Sequence, residues 1–416
     1  MSTSNIVTDL SSLSDSEHPI ILVADVPECE ALIWVLRENG IEVTAICDNI
    51  KDKSLRKSFG KEVIHTPTLP ERFSNANFII VSQQIQDCLE QLSGFGFSNF
   101  FSPIEAFKEF QNRSGQDTPA FDAYTFARMG VCIKSHQAYL EGANKLYMRS
   151  LDVMVTTRCS LKCESCSNLM QYYKNPQNSS TEGILSSIQQ ISSHVDEIAE
   201  FRLIGGEPLM NRDWHTIAKK IAMNFPNQQI FVYTNGTIAP KDHKLETLEG
   251  LNINFVITKY GYLSRNIDKL EDQLQKFGFS FQTSDADFWV DCSSLHKHHR
   301  KPSQLREVFK QCCVKYLYTL LDGKLFRCPF IANAHKLNAI TNNKADYVDL
   351  LDSSVDKGKQ IRRLIQVSSF FPGCDFCVGR PYDATATAGY DGKGVIKAGI
   401  QTKEILPYEI YGEGNG

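Results

Sequence analysis

Nine of the thirteen cysteines lie between Cys159 and Cys377, mostly in clusters. The densest run is TTRCSLKCESCSN (156–168), in which Cys159, Cys163 and Cys166 fall as C-x3-C-x2-C. Thiolates are soft ligands that suit zinc and iron–sulfur clusters. A [4Fe-4S] cluster is ordinarily held by four of them. Three leave one iron with an open position, which can chelate a small molecule through an amine and a carboxylate and pass it an electron. The C-x2-C half of the run is also a zinc element, but no partner pair with zinc spacing follows closely.

Two further motifs have the chemistry of a small-molecule site. In IGGEP (204–208), Gly205 and Gly206 permit close approach of the backbone to a ligand, and Glu207 offers a charge partner for an ammonium group. A plain turn with Pro208 opening a helix is the other reading. In YTNGT (233–237), Thr234 and Asn235 can hydrogen-bond a ribose or a carboxylate, or the Asn-Gly pair simply makes a type I′ turn. Lys259 and Tyr260 end the following strand and face the same region.

A second cysteine group lies downstream. VKYLYTLLDGKLFRC reads as a hairpin turning at LDGK, with Cys313, Gly323 and Cys328 spaced as C-x9-G-x4-C, and FPGCDFC adds Cys374 and Cys377. Cys312 fits the first position as well as Cys313. Four cysteines in two pairs suit either an iron–sulfur cluster or structural zinc. Cys292 is left over.

The cysteine loop, the GGE segment and the TNG segment together resemble the radical S-adenosylmethionine (SAM) superfamily over roughly residues 150–380. The resemblance implies that Cys159, Cys163 and Cys166 hold a [4Fe-4S] cluster, and that SAM takes the open iron. It implies SAM contacts for Gly205, Gly206, Glu207, Thr234 and Asn235, and reductive cleavage to a 5′-deoxyadenosyl radical. Ser165 departs from the aromatic residue common before the third cysteine, which puts the usual adenine contact in doubt. The hairpin and distal C-x2-C resemble the twitch form of the SPASM extension. That implies an auxiliary [4Fe-4S] cluster on Cys313, Cys328, Cys374 and Cys377, and a single one, since no cysteine follows Cys377.

The string TTRCSLKCESCSNLMQYY and the tail IKAGIQTKEILPYEIY are similar to members associated with surface-polysaccharide synthesis. The implied reaction is oxidation or epimerisation of a carbohydrate-type substrate, such as a nucleotide-linked sugar held partly by the N-terminal domain. Cys292 and Cys312 are the candidate hydrogen donors. A flavodoxin or ferredoxin is the expected reductant. A peptide-modifying maturase is the alternative within the superfamily, and a zinc-stabilised binding protein without catalysis is the alternative outside it.

These motifs need elements to carry them. PIILVAD (19–25), PECEALIWVLRENG (27–40), IEVTAICD (41–48), NFIIVS (77–82) and QIQDCLEQLSGFG (84–96) alternate strand and helix, the rhythm of a Rossmann-like open sheet. The first turn, ADVPECE, lacks the glycines of a phosphate loop although Asp48 ends the second strand, so a scaffold, substrate-docking or dimerisation role is favoured over dinucleotide binding. From residue 150 the rhythm restarts and predicts a partial (β/α)6 TIM-type barrel, with every motif at a strand's C-terminal end, where such barrels place their active sites. Thr181 reads as the N-cap of the first barrel helix.

The fold class is therefore α/β in three parts. Residues 1–18 are expected as a disordered lead-in, 19–110 as the Rossmann-like domain, and 111–149 as a linker with bridging helices. The barrel follows at 150–305, a small twitch-like domain at 306–380 and a tail at 381–416. The four cysteines of the first third, Cys29, Cys47, Cys88 and Cys132, read as small buried residues.

With 42% apolar and 22% charged residues and a net charge of −4, the 416-residue chain has a core-forming composition and no basic stripe for nucleic acid. No apolar run is long enough for a membrane helix. The first residues lack a signal peptide's basic and apolar regions, so the expected compartment is the reducing cytosol.

Overall fold

A computed structural model describes residues 6–24, 26–49, 57–113, 123–142, 145–354, 356–366, 369–381 and 390–411. It divides into two compact units, Met1–Lys145 and Leu146–Gly416. The polar stretch expected as a linker lies partly outside the described residues.

Among its described residues the first unit holds seven strands: β1 (Ile6–Val7), β2 (Ile20–Val23), β3 (Ala45–Asp48), β4 (Lys57–Ser58), β5 (Lys61–His65), β6 (Asn77–Ile80) and β7 (Asn99–Phe101). Their order is β1-β7-β6-β2-β3-β5-β4, parallel except for β4. All four residues of β2 and of β6 are buried, because helices cover both faces of the sheet. One face packs α1 (Glu28–Glu38), whose Cys29, Leu32, Val35 and Leu36 recur at helical spacing. After the short α2 (Leu69–Arg72), α3 (Ile85–Gly94) lays Ile85, Leu89 and Leu92 on the other face. Cys29, Cys47 and Cys132 are buried as expected of small apolar residues.

Two expectations are corrected here. Residues 6–13 do not behave as a disordered lead-in: β1 pairs with β7, and Leu10 and Leu13 enter the core. Three apolar residues offset the ordering of a short segment, and the polar residues between them masked that in the sequence. Nor does the first unit end at 110. Helix α4 (Ile104–Arg113) contributes Phe107 and Phe110, and α5 (Ala123–Glu141) contributes Met129 and Cys132, to the core that α1 joins. The helix expected as a bridge is part of this unit.

In the second unit, β8 (Tyr147–Thr156), β9 (Glu197–Gly205), β10 (Gln229–Thr234), β11 (Ile253–Lys259) and β12 (Ser280–Asp285) run parallel in sequence order. The intervening α6 (Thr181–Ser192), α7 (Trp214–Asn224), α8 (Asp242–Glu246) and α9 (Ile267–Lys276) supply buried apolar residues to one continuous core. Ser180, not Thr181, caps α6: its hydroxyl accepts from the Gly183 amide at 3.3 Å.

Beyond the short β13 (Phe288–Val290) and α10 (Pro302–Lys310), the expected hairpin forms from β14 (Leu317–Leu321) and β15 (Lys324–Phe326). Asp322 and Gly323 at its tip both have positive φ, as a type I′ turn demands. This hairpin is not set apart as a small domain. β14 lies parallel beside β8 as the sixth parallel strand of the sheet, and after α11 (Pro329–Lys336), β16 (Tyr347–Asp349) continues it from β15. α12 (Lys357–Gln366) follows, and the last strand, β17 (Val395–Lys397), pairs back to β13.

Leu13→Ala is expected to cost about 2–5 kcal/mol, read as a lowered urea midpoint. An unchanged midpoint would return the first residues to the status of an undocked tail.

Candidate functional site

β8 ends at Thr156 and delivers the chain into the cysteine loop. The Thr156 hydroxyl holds the bend, donating to Asn178 Oδ1 at 2.8 Å and accepting from the Arg158 amide at 3.0 Å. β9 ends beside it. The Gly206 amide donates to Thr156 O at 3.1 Å and the Glu207 amide to Arg158 O at 2.8 Å. A methyl on Gly205 would stand 2.2 Å from Thr156 O; one on Gly206 would stand 2.3 Å from Arg158 O and 2.8 Å from Cys159 Cβ. The two glycines are thus demanded by the cysteine loop itself.

Glu207 joins this pair of strand ends to the third. Its carboxylate is fully buried and accepts from the Leu209 amide at 3.1 Å, the Thr234 hydroxyl at 2.9 Å and the Asn235 amide at 2.8 Å. Burial pushes its pKa up to about 7, against the three donors that favour the charged form. Asn235 reaches on to the loop, its amide donating to Ser160 Oγ at 3.2 Å and lying 3.7 Å from Cys159 Sγ. The structure therefore brings the three predicted motifs together.

None of the thirteen cysteines is joined in a disulfide. Burial raises the pKa of Cys159 and of Cys163, the latter to about 11, and the neighbouring Cys166 pushes both further up. A coordinated cation would deprotonate such thiols outright. Hydrogen-bond donors are in place for thiolates: Gln401 Nε2 lies 3.2 Å from Cys163 Sγ. Among the described residues no three His, Cys, Asp or Glu side chains converge tightly enough for a single metal ion. A four-iron cube spreads its sulfur ligands more widely than one ion does.

The second cysteine group follows α10 (Cys312, Cys313), β15 (Cys328) and α12 (Cys374, Cys377). Cys328 caps α11, its sulfur accepting from the Ile331 amide at 3.5 Å. Cys374 Sγ accepts from the Phe371 amide and Cys377 Sγ from the Gly379 amide, each at 3.4 Å. Amide bonds of this kind favour the thiolate form. Burial raises all of these thiols, Cys377 to about 12. Cys312 has Cys313, Cys328 and Cys377 among the groups acting on it, whereas Cys313 has Arg380 and Cys292. Arg380 is buried, and although burial opposes its charge, Cys292, Cys377, Cys328 and Cys313 hold it well above the usual guanidinium range. Its Nη2 donates to Ser167 O, one residue past Cys166, so it spans from one cysteine group to the other.

Between the groups is a cavity of ≈ 240 Å³. Gly205, Gly206, Thr234, Asn235 and Tyr260 line it near the cysteine loop; Asp152, Arg202, Tyr233 and Thr258 line it from the strands, and Arg380 from the second group. Asp152 and Arg202 are 3.1 Å apart, and the guanidinium stacks 4.5 Å from the Tyr233 ring. Burial pushes Asp152 up to about 6 despite Arg202. Sequence reasoning missed Asp152, Arg202, Arg380 and Gln401. The first two carried a signal, since each is a charge set among apolar residues of a predicted strand, Asp152 between Leu151 and Val153 and Arg202 between Phe201 and Leu203. Lys259 turns aside to Asp285, 3.9 Å away.

Residues 153–313 match the model of the Radical SAM superfamily. A 94-residue stretch is 33% identical to a "Probable GTP 3',8-cyclase" of Methanocella arvoryzae, covering 21% of this chain and 27% of that protein, so the chain spans about a quarter of that relative's length. Among solved structures, BtrN in complex with AdoMet and 2-DOIA overlaps at a TM-score of 0.39 and 19% identity, covering 56% of this chain and 93% of that one. The SAM-bound SuiB of Streptococcus suis overlaps at 0.29 and 14%, covering 42% and 43%. The chain carries a radical SAM superfamily domain. That family implies a [4Fe-4S] cluster and SAM, and the donor set described above fits them. No described helix is long and apolar enough to cross a membrane.

Gly206→Ala is expected to cost about 1–3 kcal/mol and to cut iron retained by the first cysteine group, because both obstructing atoms belong to the loop. Wild-type iron content in that variant would refute the packing argument. Asp152 has a second readout. A carboxyl raised from 3.8 to about 6 makes the folded chain bind more protons than the unfolded one in that window. Its stabilisation is full below the window and lost as the pH rises through it. Urea unfolding of the wild type should therefore weaken relative to Asp152→Asn between those values, and parallel curves would contradict the assignment.

Proposed function

We propose that this chain is a radical SAM enzyme acting on a polar, carbohydrate-type substrate, with oxidation of a carbinol carbon as the preferred outcome. The observation that carries the reading is the cavity between the two cysteine groups, whose strand-borne lining includes Asp152, Arg202 and Thr258. Such a lining matches hydroxyl groups better than an apolar side chain. When bound, the first cluster with SAM supplies a hydrogen-abstracting 5′-deoxyadenosyl radical, and a second cluster supplies a one-electron acceptor.

The chain's own residues do the rest. Cys159, Cys163 and Cys166 hold the first cluster. Gly205, Gly206, Thr234 and Asn235 shape the SAM side of the cavity, and the buried Glu207 behind them fixes their relative positions. Arg202, braced by Tyr233, orients substrate oxygens. Asp152, with its pKa held near 6, accepts the hydroxyl proton at a carboxylate oxygen as the carbinol becomes a carbonyl. Cys328, Cys374 and Cys377 hold the auxiliary cluster. Cys313 completes the set, with the adjacent Cys312 as the alternative, and Cys313 lies beside Arg380, its amide donating to Arg380 O at 2.8 Å. A flavodoxin or ferredoxin fits as reductant.

The test is anaerobic reconstitution with iron and sulfide of the wild type and of a Cys159/Cys163/Cys166→Ala variant. About eight irons per chain falling to about four supports both clusters. Four falling to none removes the auxiliary acceptor and with it the oxidation. Zinc in place of iron rejects the radical chemistry altogether.

A further inference from the structure

The C-terminal segment comes back over the first cysteine loop. Past β17, the Ala398 amide donates to Asp287 O at 2.8 Å, and Gly399, at positive φ, packs against Tyr260. The next residues pair with the loop in antiparallel fashion. Glu164 N donates to Ile400 O at 2.7 Å, and Thr402 N donates to Lys162 O at 2.8 Å. Residues Cys163 and Gln401 stand opposite each other as a bridge. Farther on, Leu406 N donates to Gln171 O at 3.1 Å, and the Tyr408 ring meets Tyr172 edge-on at 5.5 Å. The segment is clasped on both sides of the loop.

Gln401 sits at the centre of this clasp with every polar atom directed. Its Oε1 accepts from the Lys162 amide at 2.6 Å. Its Nε2 donates to Gly399 O at 2.8 Å and to Cys163 Sγ at 3.2 Å. The backbone bond fixes which end of the amide is nitrogen, because Lys162 N can only donate and Gly399 O can only accept. The hydrogen bond to sulfur is therefore imposed by the frame around it.

We propose that Gln401 is a positioning residue for the first cluster: it locks the orientation of the Cys163 thiolate and raises the cluster's reduction potential. The inference rests on the reading of Cys163 as a cluster ligand. Adding an electron makes a thiolate-bound cluster more negative, and an N–H aimed at a ligand sulfur stabilises that more negative state; hydrogen bonds to the sulfurs are among the factors that set such potentials.

The experiment uses the full-length, reconstituted chain without substrate. The midpoint potential of the cluster whose EPR signal shifts on adding SAM is measured for wild type, Gln401→Met and Gln401→Glu, together with amide exchange at Lys162, Glu164 and Thr402. Gln401→Met loses both the donor and the acceptor. It should move the midpoint to a more negative value and speed exchange at Lys162, with Glu164 and Thr402 still protected by the backbone pairing. Gln401→Glu keeps the acceptor. It should restore slow exchange at Lys162 but not the potential. A wild-type midpoint in either variant overturns the proposal while leaving the radical SAM reading intact. A chain that binds no iron in the wild type overturns both.

Discussion

The site depends on a close approach between two pieces of backbone. The end of β9 lies so near the start of the cysteine loop that neither Gly205 nor Gly206 has room for a side chain, and the atoms in the way are carbonyl groups. Two amide-to-carbonyl bonds hold the approach, and the Glu207 carboxylate extends it to the end of β10. Three strand ends are thereby fixed relative to one another without help from a ligand. The geometry of a site built this way is set before a cofactor arrives, which is the condition for holding a reactive species in register with one C–H bond.

The barrel interior carries the opposite character to its outer face. Apolar residues of the strands meet the helices in a continuous core, while Asp152, Arg202 and Thr258 line the cavity within. Burying charge is unfavourable unless it is paired. Here the pair is one carboxylate against one guanidinium stacked on a ring, and even so Asp152 is driven toward its neutral form. A pair held on that edge is sensitive to what enters the cavity, because a substrate oxygen competes with the carboxylate for the same guanidinium.

The parallel strands and the cysteine-loop, GGE and TNG segments that the structure brings together were legible because each is a local pattern: an apolar run, a spacing, a turn dipeptide. What was illegible depends on pairing across long stretches of chain. The docking of residues 6–13 rests on β7, nearly a domain away in sequence. The choice between Cys312 and Cys313 is likewise illegible, because two adjacent cysteines fit one spacing equally well. The hairpin was read correctly as a hairpin, yet its place beside β8 follows from sheet register and removed the boundary expected at 306. Glu207 shows an intermediate case. Its motif was recognised, but its anchorage to the end of β10 through two donors was not, because those partners lie 27 and 28 residues on.

The clasp over the cysteine loop also ties two distant stretches of chain to one another. Cys163 and Gln401 are 238 residues apart in sequence, yet they stand opposite each other as a bridge. Any local opening of residues 398–402 therefore uncovers Cys163 as well, so the stability of one segment sets how readily solvent and reagents reach the thiol held by the other.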